Sequence, residues 1–177
     1  MEEIEVKILE IDRDKVEQKL RSLGAQKIFD DEMQILLFET QNHSLRERRI
    51  TLRVRKEGQK TKLTVKTLAK NSVFSTAKRR REIEVDVSDF DATRKLLEAL
   101  GFFVDLEMKK RRISYQLNGV HFEIDQYLGE YAYIPEFLEI EGPDEETIFK
   151  YVALLGFAKE ECKPWSLKEL VQKYGKE

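Results

Sequence analysis

The chain has 177 residues, 41% hydrophobic and 37% charged, with 32 basic against 34 acidic side chains and a formal net charge of −2. That supplies a core for one domain or two fused halves, and the balanced charge gives no overall pull toward nucleic acid. One cysteine excludes an internal disulfide and points to a reducing cytoplasm, two distant histidines leave no zinc spacing, and no apolar run reaches the length of a membrane span.

The first predicted strand, Glu3 to Lys7, has the two-residue period of a sheet: Ile4, Val6 and Ile8 share one face, Glu3, Glu5 and Lys7 the other. Asp12 or Asp14 caps a helix in which Val16, Leu20 and Leu23 recur at helical spacing before Gly24 ends it. A short strand follows, then the nearly continuous apolar run Gln34 to Phe38, then a polar stretch, Thr40 to Arg49, that reads as a loop. Two strands around Gly58 form a predicted hairpin. In it Arg53 and Arg55 oppose Leu52 and Val54, while Lys62, Thr64 and Lys66 oppose Leu63 and Val65. Leu68 to Lys78 reads as a mobile loop, and Arg80 to Val87 as a strand with Glu82, Glu84 and Asp86 on one face. A helix from about Phe90 to Leu100, capped by Ser88 or Asp89, buries Leu96, Leu97 and Leu100. Met108 to Tyr115 sets Lys110 and Arg112 against Ile113 and Tyr115, and Asn118-Gly119 is a strong hairpin signal. Val120 to Gln126 sets Glu123 and Asp125 against Phe122 and Ile124. After a loop come the strand Phe137 to Glu141, a helix carrying Ile148, Val152 and Leu155, and a last amphipathic helix from near Pro164 with Leu167, Leu170 and Val171 on its apolar edge.

Glu-Ile-Glu occurs at residues 3–5, 82–84 and 139–141, each time before a helical segment that ends in Leu-Gly. The repetition describes one domain, 1–177, with two pseudo-repeated halves, about 1–78 and 79–177. Amphipathic helices need an apolar surface to cover, so the apolar strand faces turn outward beneath them and the charged faces turn inward. The expected fold is α+β: a closed or nearly closed antiparallel eight-stranded β-barrel, a tunnel with a charged interior and helices outside. This inverts the usual small barrel, whose interior is filled by side chains. An open antiparallel sheet with one wet, ion-paired face satisfies the same alternation.

The inward set is Lys7, Arg53, Arg55, Lys62, Lys66, Lys110 and Arg112 with Glu3, Glu5, Glu82, Glu84, Glu123, Asp125, Glu139 and Glu141. Each enclosed ion loses several kcal/mol of hydration, roughly, unless it pairs or binds a charged ligand. The cations suit a polyanion such as a triphosphate, and the carboxylates suit Mg²⁺ or Mn²⁺, hard ions that bridge protein and phosphate. No Gly-rich phosphate loop is present, so side chains would hold the anion. Lys78 to Arg81 and Lys109 to Arg112 are basic runs, but no stacking aromatics interleave with them, which argues against nucleic acid as the main partner.

Glu3-x-Glu5-x-Lys7 resembles the signature of the CYTH proteins, the triphosphate tunnel metalloenzymes that include class IV adenylate cyclases and thiamine triphosphatases. "LFET" before "LRERRITLRVR", then "LTVK", "KKRRISY", "FEID", "FLEIEG" and "CKPWSLKEL", resemble the family's later segments in the right order. By that resemblance Lys7, Arg53, Arg55, Lys66, Lys110 and Arg112 bind the triphosphate and carry its chemistry. Lys62 joins them, and Lys163 matches a family lysine near the tunnel mouth. Glu3, Glu5, Asp125, Glu139 and Glu141 carry the metal site, with Glu82, Glu84 and Glu123 in supporting metal or pairing roles. A strand bulge would exchange Lys110 and Arg112 for Lys109 and Arg111. Leu37 and Trp165 stand where the family often has Tyr, and Gln41 where Pro is common. The pattern is closest to the cyclase-like branch, which converts ATP to cyclic AMP and pyrophosphate. The alternatives are hydrolysis of inorganic or thiamine triphosphate, and non-catalytic polyphosphate or nucleotide binding. A cytoplasmic protein is expected, with no membrane partner and a homodimer as the general default.

Overall fold

Strand-forming alternation runs through the whole chain, and the computed structural model, which describes residues 2–68 and 77–175 except for the side chains of Glu2, Glu3 and Lys78, gathers it into one sheet. The strands are β1 (Glu2–Leu9), β2 (Gln26–Thr40), β3 (Thr51–Glu57), β4 (Lys60–Leu68), β5 (Lys78–Val87), β6 (Phe102–Leu117), β7 (Val120–Leu128), β8 (Phe137–Gly142) and the two-residue β9 (Cys162–Lys163). The helices are α1 (Arg13–Ser22), α2 (Ser44–Glu47), α3 (Phe90–Ala99), α4 (Glu145–Leu155) and α5 (Leu167–Tyr174). Pairing runs β5-β4-β3-β2-β6-β7-β8-β1, and β1 returns to β5, so eight antiparallel strands close a barrel. Beyond the β5 contact, Lys7 and Ile8 of β1 pair with β9. The three Glu-Ile-Glu strands, β8, β1 and β5, are neighbours at this seam.

The apolar faces do turn outward. Ile4, Val6 and Ile8 of β1, with Phe122, Leu138 and Ile140, pack against Val16 and Leu20 of α1 and Ile148 and Val152 of α4. Leu36, Phe38, Leu52 and Val54 pack against Phe90 and Leu97 of α3. Fully burying each such side chain contributes about 1.5–3 kcal/mol. Asp12, Asp89 and Asp144 cap α1, α3 and α4 by accepting a backbone N–H three residues on. Asn118 and Gly119 both have positive φ, as a two-residue hairpin turn requires.

Several expectations change. The short strand and the apolar run are one fifteen-residue strand, β2, and the polar stretch after it contains α2. In α3 the buried residues are Phe90 and Leu97, seven apart on one stripe, whereas Leu96 and Leu100 are 59% and 67% exposed. Because α3 packs on β3 and β6, Ile83 on the outer face of β5 is 68% exposed, although its counterparts Ile4 and Ile140 are buried. Most of the expected loop Leu68 to Lys78 lies outside the described residues. Among the described residues no helix is long and apolar enough to cross a membrane.

A third apolar cluster lies inside the barrel. Ile35, Met108, Tyr127 and Phe137 share strand faces with inward-pointing charges, and at one end of the tunnel they pack with Ile134 and with Leu170 of α5. The interior is therefore charged along its middle and apolar at that end.

Candidate active site

The barrel encloses a cavity of about 920 Å³. Alternation puts two charged walls around it. One comes from β3, β4 and β5, where Arg53, Arg55, Lys62, Lys66 and Arg80 face Glu57, Glu82 and Glu84. The other comes from β1, β6, β7 and β8, where Lys7, Lys110 and Arg112 face Glu5, Glu123, Asp125, Glu139 and Glu141. Among the described side chains the first wall has five cations to three carboxylates, and the second three to five.

Ion pairs run along each wall. On the acid-rich wall the guanidinium of Arg112 donates to both Asp125 oxygens at 2.7 and 2.6 Å, the Lys110 ammonium donates to Asp125 at 2.6 Å, and Arg112 also contacts Glu123. Lys7 Nζ lies 2.8 Å from Glu139 and 3.4 Å from Glu5. Burial alone would raise the carboxyl of Glu139, but Lys7, Arg112 and Lys110 hold it well below the ordinary range. Asp125 is likewise held low by Arg112 and Lys110 against its burial. The two lysines diverge. Burial would lower Lys7, but Glu139 and Glu5 outweigh it and raise the ammonium above its ordinary value. Lys110 shares its carboxylate with Arg112, so burial and that guanidinium prevail and bring it down to about 8.

On the cation-rich wall Lys66 lies 2.6 Å from Glu82 and Lys62 2.7 Å from Glu84, while Arg55 lies 2.7 Å from Glu57 and 3.3 Å from Glu84. Arg53 is less well matched. Its side chain is 16% exposed, its carboxylate distances are 3.5 Å to Glu82 and 3.8 Å to Glu84, and its buried Nε has no acceptor among the described residues. Burial, and the like charges of Arg55 and Arg112, push its guanidinium below the ordinary arginine value.

Of the residues expected inside, Glu5, Lys7, Arg53, Arg55, Lys62, Lys66, Glu82, Glu84, Lys110, Arg112, Glu123, Glu139 and Glu141 line the cavity. Asp125 lies fully buried behind Lys110 and Arg112. Lys110 and Arg112 take the inward parity, while Arg111 points outside and pairs with Asp30 at 2.9 Å. The Glu3 side chain lies outside the described residues. Lys163 is not brought to the cavity: on β9 its ammonium donates to the carbonyl of Glu160 at 2.8 Å, because β9 joins the outer run of β1 after the β5 pairing ends.

Other lining residues were not foreseen. Arg80, Glu57 and Tyr127 have the parity of neighbouring inward residues, so alternation could have found them. Arg46 and Arg49 carry no such signal. They are placed by α2, whose first turn is held by Glu39 of β2: this buried carboxylate accepts the N–H groups of Thr40, Leu45 and Arg46. The guanidinium of Arg80 donates to the Arg49 carbonyl at 3.2 Å and ties this segment to β5.

Among the described residues no three Asp, Glu, His or Cys side chains converge on one point. Mg²⁺ is usually held by one or two carboxylates together with substrate phosphates and water. Glu5 and Glu141, register partners on β1 and β8 in the acid-rich wall, supply such a pair of hard oxygen donors. The donor set therefore fits a divalent cation shared with a bound phosphate.

The eight antiparallel strands close around a charged interior, and the CYTH domain family matches residues 1–163. The chain belongs to the CYTH family. It is 29% identical over 141 residues, 80% of this chain and 77% of the other, to a protein of Methanocaldococcus jannaschii provisionally named an adenylate cyclase. The solved structure of PH1012 from Pyrococcus horikoshii is 28% identical, with a TM-score of 0.76 over 95% of this chain and 98% of that one. The Hippeastrum protein HpAC1, described as a candidate adenylyl cyclase with a dominant triphosphatase activity, shares the fold at 18% identity, with a TM-score of 0.67 over 99% of this chain and 97% of that one.

Proposed function

We propose that the chain is a divalent-metal-dependent enzyme that binds a triphosphate in the tunnel, with cyclisation of ATP to cyclic AMP and pyrophosphate as its leading reaction. The observation that carries this reading is the unequal charge of the two walls. A surplus of cations faces a surplus of carboxylates across a cavity, an arrangement complementary to a metal–polyphosphate complex and wasteful for an interior that only pairs with itself. Arg53 is the sharpest case, a partly buried guanidinium with long carboxylate contacts.

In this reading Arg53, Arg55, Lys62 and Lys66 hold the phosphate oxygens, with fork-shaped donation from the arginines. Lys7, Lys110 and Arg112 reach the same chain from the opposite wall. Asp125 orients Arg112 and Lys110, since both its oxygens already accept from them. Mg²⁺ or Mn²⁺ held by Glu5 and Glu141, with Glu139 beside them, would neutralise phosphate charge and lower the pKa of the attacking oxygen. In cyclisation the ribose 3′-hydroxyl gives its proton to solvent, its oxygen bonds to the α-phosphorus, and the bond from that phosphorus to the bridging oxygen breaks. The fixed cations stabilise the charge that develops on the departing pyrophosphate. The name of the Methanocaldococcus relative supports the cyclase over the hydrolase. The fold does not separate them, because the Hippeastrum barrel is described with both.

A product assay decides. The protein is incubated separately with ATP, thiamine triphosphate and inorganic triphosphate, each with Mg²⁺ or Mn²⁺. Cyclic AMP with pyrophosphate from ATP is expected. Orthophosphate in its place makes the protein a triphosphatase, and binding without turnover under either metal makes it a non-catalytic binder.

A further inference from the structure

Resting on the metal site of that reading, we propose that His121 adds a nitrogen ligand beside Glu5 and Glu141, so that the tunnel takes Mn²⁺ in preference to Mg²⁺. His121 lies on β7 with the parity of Glu123, Asp125 and Tyr127, and it lines the cavity. Strand register sets its place. His121 is the partner of Glu141 on β8, and Glu141 is the partner of Glu5 on β1. One imidazole and two carboxylates therefore form a row across three neighbouring strands, all on the inner face. Register partners in antiparallel strands carry Cβ atoms about 4.5–5.5 Å apart, and the ends of the row are about 10 Å apart across two strand spacings. Among the described residues no such three side chains meet at one point as they stand. Changes of rotamer close that span, because the inner wall of a barrel is concave and turns neighbouring side chains toward its axis.

The imidazole is partly buried, and among the described residues no hydrogen bond or ion pair engages it. The next row along the same strands differs. There Glu123 contacts Arg112 and Glu139 lies 2.8 Å from Lys7, so cations of the same wall already balance it. The donor types decide which ion the His121 row suits. Carboxylate oxygens serve Mg²⁺ and Mn²⁺ alike, whereas imidazole nitrogen serves the first-row transition ions. One nitrogen added to two carboxylates therefore separates two ions that the carboxylates alone do not. Mn²⁺ also keeps the octahedral, oxygen-rich surroundings that a bound phosphate supplies. The chain's other histidine, His43, sits before α2 with its ring edge-on to Phe103 and is not part of the cavity lining. A nitrogen ligand found on an ion in the tunnel thus has one histidine as its source.

The test uses the full, untagged chain stripped of metal, with no triphosphate present. Mn²⁺ affinity is measured by calorimetry, and Mg²⁺ affinity by displacement of bound Mn²⁺. Pulsed electron paramagnetic resonance of the bound Mn²⁺ detects a directly coordinated nitrogen. The unaltered protein should show that signal, and His121→Leu should lose it. The same variant should bind Mn²⁺ at least about tenfold more weakly, the lower end of what losing even an outer partner of a metal ligand costs, while Mg²⁺ stays within about twofold. Glu141→Gln should weaken both ions alike. His121→Gln, which keeps a polar side chain in the cavity, should repeat the result of the leucine variant and separates ligand loss from misfolding. The proposal is overturned by no Mn²⁺ binding, by no nitrogen signal in the unaltered protein, by a signal that persists in both His121 variants, or by equal losses for the two ions. Its failure is distinct from that of the enzyme reading. Nitrogen-bound Mn²⁺ without turnover of any triphosphate keeps His121 as a ligand and removes the enzyme, and turnover without the nitrogen signal does the reverse.

Discussion

Arg53 sits inside the barrel with too little negative charge near it, and the consequence is a property of that one side chain. Arg53→Met should weaken triphosphate binding on the order of tenfold to a hundredfold, the scale of a charge-assisted contact. The fold should keep its melting temperature, since Glu82 and Glu84 retain Lys66 and Lys62. Calorimetric titration beside thermal denaturation checks both halves. Asp125 is the opposite case, a buried anion on which two cations depend. Asp125→Asn should lower stability by about 3–5 kcal/mol, the usual effect of breaking a buried pair by removing one partner, measurable by urea unfolding. Lys110 titrates near 8, and its charged form is the one that meets phosphate. Triphosphate affinity should therefore fall as pH rises through about 8, and that step should be missing from the pH profile of Lys110→Met.

At the scale of elements, α2 is a four-residue helix that stands because a carboxylate from β2 holds its first N–H groups. Glu39→Ala should speed hydrogen exchange at the Leu45 and Arg46 amides and destabilise the protein by about 1–3 kcal/mol, the cost of leaving buried donors unmet. The same feature explains why α2 was illegible in the sequence. Its segment has no helical apolar stripe, and His43 directly before it has positive φ and makes no side-chain cap hydrogen bond. The strands were legible because one face of each is buried under helices or fixed by charge pairs, so alternation survives in the residues themselves. Where that logic weakens, the reading weakens too. Alternation identifies Ile35, Met108 and Phe137 as strand residues, but it does not say that one end of a charged tunnel is apolar, which depends on where α5 docks. Leu96 and Leu100 look like core by type, yet a helix has one buried stripe, and Phe90 with Leu97 occupies it.

At the scale of the whole molecule, an interior of paired ions makes stability depend on pH in a set direction. Glu139 and Asp125 have folded-state values below their unfolded ones, so each contributes fully above the ordinary carboxylate range and loses its contribution as pH falls through the lowered value. The barrel should tolerate mild acid and unfold only below the ordinary carboxylate range. In Glu139→Gln the acid midpoint, followed by circular dichroism, should move upward. The seam at β1 reaches further still. Its partners are β5 on one edge and β8 on the other, strands that follow only after long intervening stretches of chain. Such distant pairings form slowly, since the connecting segments must be brought together before the contacts repay them. A nascent chain still lacking β8 therefore carries an unsealed edge at β1, the kind of surface on which chaperones act.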